Sequence, residues 1–170
     1  MELTITIEDV LTSKSKALVA KSPELRDKAL RKLAFDLLAR IAKRTPVDTG
    51  RARAGWLTGM KALARKTGQS PNIRFEGSNV SRKAIAQGEK EGSYKETDSA
   101  GKKVIEITNS VRYVIYLEYG WSKKSPRGMV RVTISEFKGI SKNQFRRDFI
   151  REVWRFWSTY HASRIVKRLR

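Results

Sequence analysis

A proline-containing turn is the feature that most constrains the fold of this chain. The turn reads Thr45-Pro46-Val47-Asp48-Thr49-Gly50. Pro46 has no backbone N–H and disfavours helical geometry at the residue before it, so we expect any preceding helix to end near Arg44. Asp48 and Thr49 can bond nearby backbone amides, and Gly50 permits a positive φ. The chain is therefore predicted to reverse direction here.

An amphipathic helix is predicted before the turn. Apolar residues recur at steps of three and four, which places one apolar stripe along a helix of about 20 residues. They are Leu25, Ala29, Leu33, Leu37, Leu38 and Ile41. Ser22, Pro23 and Glu24 have the order of an N-cap, a first helical residue and an acid that complements the helix dipole. We therefore expect the helix to begin at this tripeptide.

Strand signals are found in two places. Residues 3–7 alternate apolar and polar side chains with β-branched residues, which predicts a short half-buried strand. Residues 103–109 are rich in β-branched residues and are followed by Ser110, which predicts the clearest strand of the chain. The segment 67–103 is rich in Gly, Ser, Asn, Lys and Glu. We predict that it is a long, flexible insert between core elements, within which residues 81–91 are compatible with a short helix.

A second long helix is predicted towards the C-terminus, from Ser141 onwards. Its apolar residues step by three or four, and Trp154 widens the stripe beyond what one modest core covers. We predict that this helix lies in a subunit interface formed by Phe145, Phe149, Trp154, Trp157 and Tyr160. Its aromatic side chains beside arginines also fit stacking on single-stranded bases.

Two further segments are ambiguous. Residues 51–66 match neither the helical nor the strand period, and residues 129–137 fit a helix start or a strand.

These elements together predict an α+β fold. A small antiparallel sheet would pack with the long N-terminal helix and the long C-terminal helix. With 170 residues, one core is expected. We assign residues 1–137 to an α+β domain that contains the insert, and residues 138–170 to a basic aromatic helix appended to it.

Composition excludes several classes of protein. The chain has no cysteine and one histidine, which excludes a disulfide scaffold, a thiolate metal site and a cysteine nucleophile. No apolar run approaches the roughly 20 residues that span a bilayer, and no secretory leader is recognisable, so we expect a chain made in a cytosol without a membrane partner.

The formal net charge is +20. The excess is concentrated in residues 51–95 and 138–170, and such potential attracts nucleic acid or acidic protein.

No constellation of residues indicates catalysis. His161 has no acid near it in sequence, Asp48 is better explained as a backbone cap, and Glu106 with Glu118 lacks a third acidic ligand for magnesium. The phosphate-binding, nucleophile-elbow and zinc-protease motifs are absent. We therefore expect a protein that is not an enzyme, with no catalytic, cofactor-binding or metal-binding residues.

Two blocks of residues occur in a specific order. The first is Thr45-Pro46-Val47-Asp48-Thr49-Gly50-Arg51, followed by Trp56. The second is Ile107-Thr108-Asn109, then Tyr113, Tyr116-Leu117-Glu118-Tyr119-Gly120 and, after a basic loop, Pro126-Arg127-Gly128-Met129-Val130-Arg131. In this order, between a preceding helix and a closing one, the blocks resemble the tail-completion or neck (head–tail joining) proteins of tailed bacteriophages.

We interpret the two blocks as structural rather than chemical. The residues to which we assign this role are Pro46, Asp48, Thr49, Gly50, Asn109, Tyr116, Glu118, Tyr119, Gly120 and Gly128. We expect Tyr113, Tyr116 and Tyr119 to be buried against the sheet. Glu118 is expected to cap a backbone amide or to pair with a basic side chain.

The resemblance implies a structural virion protein. It implies an α+β subunit of a homo-oligomeric ring, such as a hexamer, at the head–tail junction, assembled in the host cytoplasm. The implied partners are the phage connector or adaptor and the tail terminator, with packaged DNA passing through the lumen without sequence-specific binding. The alternative is a basic nucleic-acid-binding protein, which the charge and the arginine–aromatic helix favour.

Overall fold

A computed structural model describes residues 12–99 and 102–168 of the chain. Side chains are described for these residues except 12–19, 99, 102, 138–142, 145, 157 and 159–168. The predicted strand at residues 3–7 lies outside the described residues. The predicted α+β class, with its antiparallel sheet and its long N-terminal helix, is confirmed.

The first helix, α1, spans Thr12–Arg44. Its end is where the proline in the following turn predicts it. Its start differs from the prediction, because Pro23 lies inside the helix and the residue before it is not an N-cap. A proline in a helix interior removes one backbone hydrogen bond. Leu25 and Ala29 follow the proline and are buried, so the helix beyond it is held by packing.

The ambiguous segment after the turn forms two helices. They are α2, Arg51–Ala54, and α3, Leu57–Thr67. Gly55 separates them, and a Cβ there would lie 2.2 Å from Asn109 Oδ1, so the break is also a site of close approach. The buried face of α3 consists of Leu57, Gly59, Met60, Leu63 and Ala64.

The segment predicted as an insert holds two regular elements. They are α4, Arg82–Lys90, and β1, Gly92–Ser99, which pairs antiparallel with β2, Lys102–Asn109, from Gly92 opposite Asn109 to Ser99 opposite Lys102. The short helix with which residues 81–91 are compatible is present as α4, and our expectation of a loop is corrected by β1. Strand β1 has few apolar residues, and it forms because β2 supplies a complete ladder and opposite charges face each other, as Lys95 faces Glu106. The mobility of the segment stays a prediction.

Two helices complete the chain. They are α5, Val114–Glu118, and α6, Val130–Arg168. Residues 130–137 are therefore helical, which decides between the two alternatives left open for them. The predicted domain boundary at residue 138 falls inside α6, and Phe137 on its first part is buried.

The core lies where α1, α3 and the inner face of the sheet meet. Its buried residues are Phe35, Leu38, Ile41, Ala42, Trp56, Met60, Leu63 and Ala64. Ile105 and Ile107 of β2 pack against this cluster. Helix α6 lies along α1, where Lys32 pairs with Asp148 at 2.7 Å and Arg44 with Glu136 at 2.7 Å. The α1–α6 contact is therefore continuous with the core.

A buried charge cluster connects α1, α3 and the sheet around Glu96. Its carboxylate accepts hydrogen bonds from Arg31 at 2.6 Å, from Tyr94 at 2.7 Å and from Lys66. Lys103 lies 3.3 Å away and also contacts Asp27. Burial would raise the pKa of Glu96, but the hydrogen bonds from its partners outweigh that effect and hold its pKa well below the usual range.

We predict that Glu96→Gln lowers the free energy of unfolding by roughly 2 kcal/mol at pH 7, because the cations around it lose their counter-charge. Since the folded pKa is depressed, this contribution is complete above the unfolded value of about 4.3 and is lost as the pH falls through the folded pKa. Urea denaturation from pH 7 to pH 2 measures it. Glu76→Gln, at a side chain that is 78% exposed, is the control. If the difference in unfolding free energy between wild type and Glu96→Gln does not become smaller in acid, the prediction is contradicted.

Candidate interaction surface

The first sequence block is held together by a buried threonine at the end of α1. Thr45 has no exposed surface, and its hydroxyl donates to Ile41 O at 2.9 Å while accepting from Trp56 Nε1 at 3.0 Å. Its carbonyl accepts from Arg53 Nε at 2.9 Å and Nη2 at 2.7 Å. One residue therefore connects the last turn of α1 to α2 and to the core tryptophan.

Arg53 extends this network to backbone carbonyls on either side. Its guanidinium also donates to Lys43 O at 3.2 Å and to Arg74 O at 2.6 Å. Burial lowers the pKa of Arg53, and Glu76 partly offsets that effect. The side chain thereby satisfies carbonyls that the end of α1 leaves without helical partners.

Gly50 has the positive φ that the turn predicts. Its φ is 89°, and it precedes the first residue of α2. A Cβ at this position would lie 3.0 Å from Ile85 Cγ1 and 3.1 Å from Phe75 Cδ1. Any side chain here would therefore meet both backbone strain and crowding.

We predict that Gly50→Val lowers the unfolding free energy by a few kcal/mol, because a β-branched residue at positive φ is strained and has no room here. Thermal melts followed by circular dichroism measure the loss. Gly68→Val is the matched control, since Gly68 has φ 68° but a Cβ there would meet no atom within 4 Å, so it reports the backbone strain alone. Equal losses in both variants would show that crowding at Gly50 contributes nothing.

The second block binds the first through the short helix α2. Asn109 Nδ2 donates to Ala52 O at 2.9 Å, and Ala52 N donates to Tyr113 Oη at 3.2 Å. Asn109 Oδ1 also accepts from Val111 N at 3.2 Å. A four-residue helix leaves most of its own backbone groups without partners, so the second block supplies them. The structure thus brings together Gly50 with its neighbours and Asn109, as the order of the blocks suggests.

Glu118 caps the start of α6 and also pairs with the basic side chain of Arg131. Oε2 accepts from Met129 N at 2.9 Å and Val130 N at 2.7 Å, and Oε1 accepts from Arg131 N at 2.8 Å and Arg131 Nε at 3.1 Å. A carboxylate at the start of α6 also complements the helix dipole. Burial would raise the pKa of Glu118, but the backbone amides and Arg131 outweigh it and lower the pKa.

Two glycines close the loop between α5 and α6 at its base. Gly120 has φ 87°, and a Cβ there would lie 2.3 Å from Pro126 O. Gly128 has φ 81°, and a Cβ there would lie 2.3 Å from Glu118 O. Both positions need glycine because the two ends of the loop touch through their backbones.

We predict that Glu118→Gln lowers the unfolding free energy by about 1–2 kcal/mol at pH 7, because one amide oxygen cannot replace two carboxylate oxygens facing backbone donors. With a depressed folded pKa, the difference from wild type is complete above about pH 4.3 and shrinks as the pH falls through the folded pKa. Chemical denaturation at several pH values measures it. Glu76→Gln, at a side chain that is 78% exposed, should change little.

The tyrosines of the second block are exposed, which corrects our expectation that they are buried against the sheet. Tyr113 is 37% exposed, Tyr116 51% and Tyr119 65%. The reason is that α1 and α3 already cover the inner face of the sheet, and α5 presents Val114 to the core instead. Sequence reasoning did not single out Trp121, which is 78% exposed and lies with its ring centroid 5.0 Å from that of Tyr116.

We use the name aromatic patch for the exposed side chains of Tyr116, Tyr119 and Trp121 together with the exposed aliphatic side chain of Ile115. A cavity of about 380 Å³ lies beside it, where the two sequence blocks meet. Its walls are Pro46, Val47, Asp48, Gly50, Ala52, Tyr113, Leu117, Ser122, Lys123 and Lys124. Thr49 lies between the wall residues Asp48 and Gly50, and its carbonyl accepts a hydrogen bond from Ser81 N at 3.2 Å. Patch and cavity together form a candidate surface for binding another macromolecule.

The residues predicted for an interface on the C-terminal helix are described in part. Trp154 is 71% exposed, and Phe149 is half-buried. The side chains of Phe145, Trp157 and Tyr160, and of His161, lie outside the described residues. The interface role of these residues stays a prediction. Within residues 12–99 and 102–168, no three acidic or histidine side chains are grouped closely enough to hold a metal ion.

A protein-family model matches residues 9–120, which is more than half of the chain. The chain belongs to the HK97-gp10-like family. The family is described as "Bacteriophage HK97-gp10, putative tail-component". No curated protein and no solved structure matches the chain.

Membership in the HK97-gp10-like family makes this chain a structural protein of a tailed phage and a virion component. The matched region contains the first block and the second block as far as Gly120, so the junction described above lies mostly within it. None of the helices in the described part of the chain is long and apolar enough to cross a membrane.

Proposed function

We propose that the chain forms a homo-oligomeric ring, such as a hexamer, at the head–tail junction of the phage, where it completes the tail and joins it to the connector. The observation that carries this proposal is large aromatic surface left exposed in two separate places. One is the aromatic patch, and the other is Trp154 on α6. Exposed aromatic groups of this size are typical of interfaces between proteins.

The separation of the two places fits a subunit with two kinds of neighbour. Arg131, which lies over the ring of Tyr119 at 5.0 Å, is 23 residues before Trp154 on the same helix. At 1.5 Å per residue along a helix axis, the two residues are about 35 Å apart. A ring subunit contacts copies of itself at its sides and a different protein above or below. We assign the surface around Trp154 to the ring contact.

The proposed role needs no reaction. The most prominent carboxylate of the second block, Glu118, has both oxygens engaged by backbone amides. Asp48 accepts from Asn79 Nδ2 at 2.9 Å, as a residue that holds a turn does. We therefore propose that these acids stabilise the fold and that the protein is not an enzyme.

A second candidate function is nucleic-acid binding. It is favoured by the exposed arginines of α6, among them Arg146 and Arg147, and by the formal charge of +20. In a ring these charges would face packaged DNA passing through the lumen, and the contact would be electrostatic rather than specific to a sequence. The two functions differ in assembly state and in the salt dependence of DNA binding.

We expect closed rings in negative-stain images of the purified protein, and a mass in light scattering that is a fixed multiple of the 19.5 kDa chain. Trp154→Ser should shift the protein towards monomer because it removes apolar contact area from the interface. Asn143→Ser, an exposed polar change on the same helix, should leave the rings intact. A monomer whose nanomolar binding to duplex DNA persists at about 150 mM salt would instead support the nucleic-acid-binding alternative.

A further inference from the structure

We propose that the aromatic patch and the adjoining cavity bind an acidic segment with apolar side chains from a different virion protein. This inference rests on the proposed function, since it names the second neighbour of the ring subunit. The surface has three properties that together define such a partner. They are an exposed aromatic platform, a cavity with a partly apolar wall and an excess of positive charge.

The aromatic platform is held rigid by the rest of the structure. Tyr119 and Trp121 are 65% and 78% exposed, yet the backbone beneath them is fixed by the capping contacts of Glu118 and by the close approach of Gly120 to Pro126. The guanidinium of Arg131 lies 5.0 Å from the centre of the Tyr119 ring. A partner that binds where the backbone is already held loses less conformational entropy on binding.

The cavity gives the partner a place for an apolar side chain. Val47 and Ala52 from the first block and Leu117 from the second form much of its wall. Its volume of about 380 Å³ is within the range of cavities that enclose small ligands or side chains. Lys123 and Lys124 belong to the same wall, so an apolar side chain in the cavity would bring its flanking residues next to two ammonium groups.

The charge of this region is predominantly positive. Residues 111–131 contain five basic side chains and one acid, Glu118, and the cavity wall adds the carboxylate of Asp48, which accepts from Asn79 Nδ2. Glu118 is already bonded to backbone amides and to Arg131. Among the described residues, neither Lys123 nor Lys124 forms an ion pair, and both are exposed. Carboxylates on a partner would therefore find unpaired cations here.

The same observations argue against two other occupants. A second copy of the chain carries the same charge of +20, and its carboxylates are largely engaged within the chain, as Glu91 is with Arg51 and Glu89 with Lys61. Duplex DNA would pair its phosphates with the lysines, but its bases are stacked inside the double helix, so it would leave Ile115 and the apolar part of the cavity wall without a matching group. An acidic segment that also carries apolar side chains satisfies both requirements.

The test is photo-cross-linking in assembled virions. The photoreactive residue p-benzoylphenylalanine replaces Trp121, and in a control chain it replaces Lys83, an exposed residue of α4. We expect irradiation to join position 121 to an acidic segment of another virion protein, identified by mass spectrometry, and the control to give no such product. Cross-links from position 121 to a second copy of this chain or to DNA, or none above the control, would overturn the proposal.

Charge reversal tests the role of the lysines in the same particles. Lys123→Glu with Lys124→Glu should lower the cross-link yield from position 121 by about tenfold, and Lys123→Arg with Lys124→Arg should retain it. Arg82→Glu with Lys83→Glu makes the same charge change on α4 and should leave the yield unchanged. Equal loss in both reversed chains would overturn the assignment of the acidic segment to this surface.

Immunoblots of the same purified virions separate failure of this inference from failure of the proposed function. If the chain is present in the particles in ring stoichiometry but position 121 gives no cross-link to another protein, the docking surface is wrong and the ring stands. If the chain is absent from the particles, the proposed function is wrong and the docking proposal is overturned with it.

Discussion

The buried hydroxyl and carbonyl of Thr45 are the contacts on which the rest of the structure depends. They bind the last turn of α1 to Trp56 in the core and to the guanidinium of Arg53. With the start of α2 fixed in this way, Ala52 offers its backbone N–H and carbonyl to Tyr113 and Asn109. Two distant parts of the sequence are therefore joined through backbone groups that a short helix cannot satisfy by itself.

This dependence explains why the two sequence blocks occur together. The first block shapes α2, and the second supplies the hydrogen bonds that α2 needs. The second block then continues through Glu118 into the start of α6. In a phage tail component, such a chain of contacts holds the exposed aromatic patch at a fixed position relative to the core. A rigid surface is what a subunit needs if it has to fit between neighbours in an assembly.

Sequence reasoning succeeded where local chemistry determines structure. The end of α1 follows from the missing N–H of Pro46, and the positive φ at Gly50 follows from the turn. The β-branched residues of 103–109 predict β2. It failed where a distant partner decides. Strand β1 depends on β2, α2 depends on Asn109, and the exposure of Tyr116 depends on other helices having already covered the sheet. No periodicity within those segments carries that information.

The loop between α5 and α6 has a base fixed by backbone contacts and a tip that lies outside those contacts. The chain leaves α5 where Gly120 lies against Pro126. It enters α6 where Gly128 lies against Glu118. The tip at residues 122–124 lies outside these contacts and carries both lysines of the cavity wall. Substitutions confined to this tip are therefore expected to change the cavity wall while the backbone contacts that join α5 to α6 stay in place.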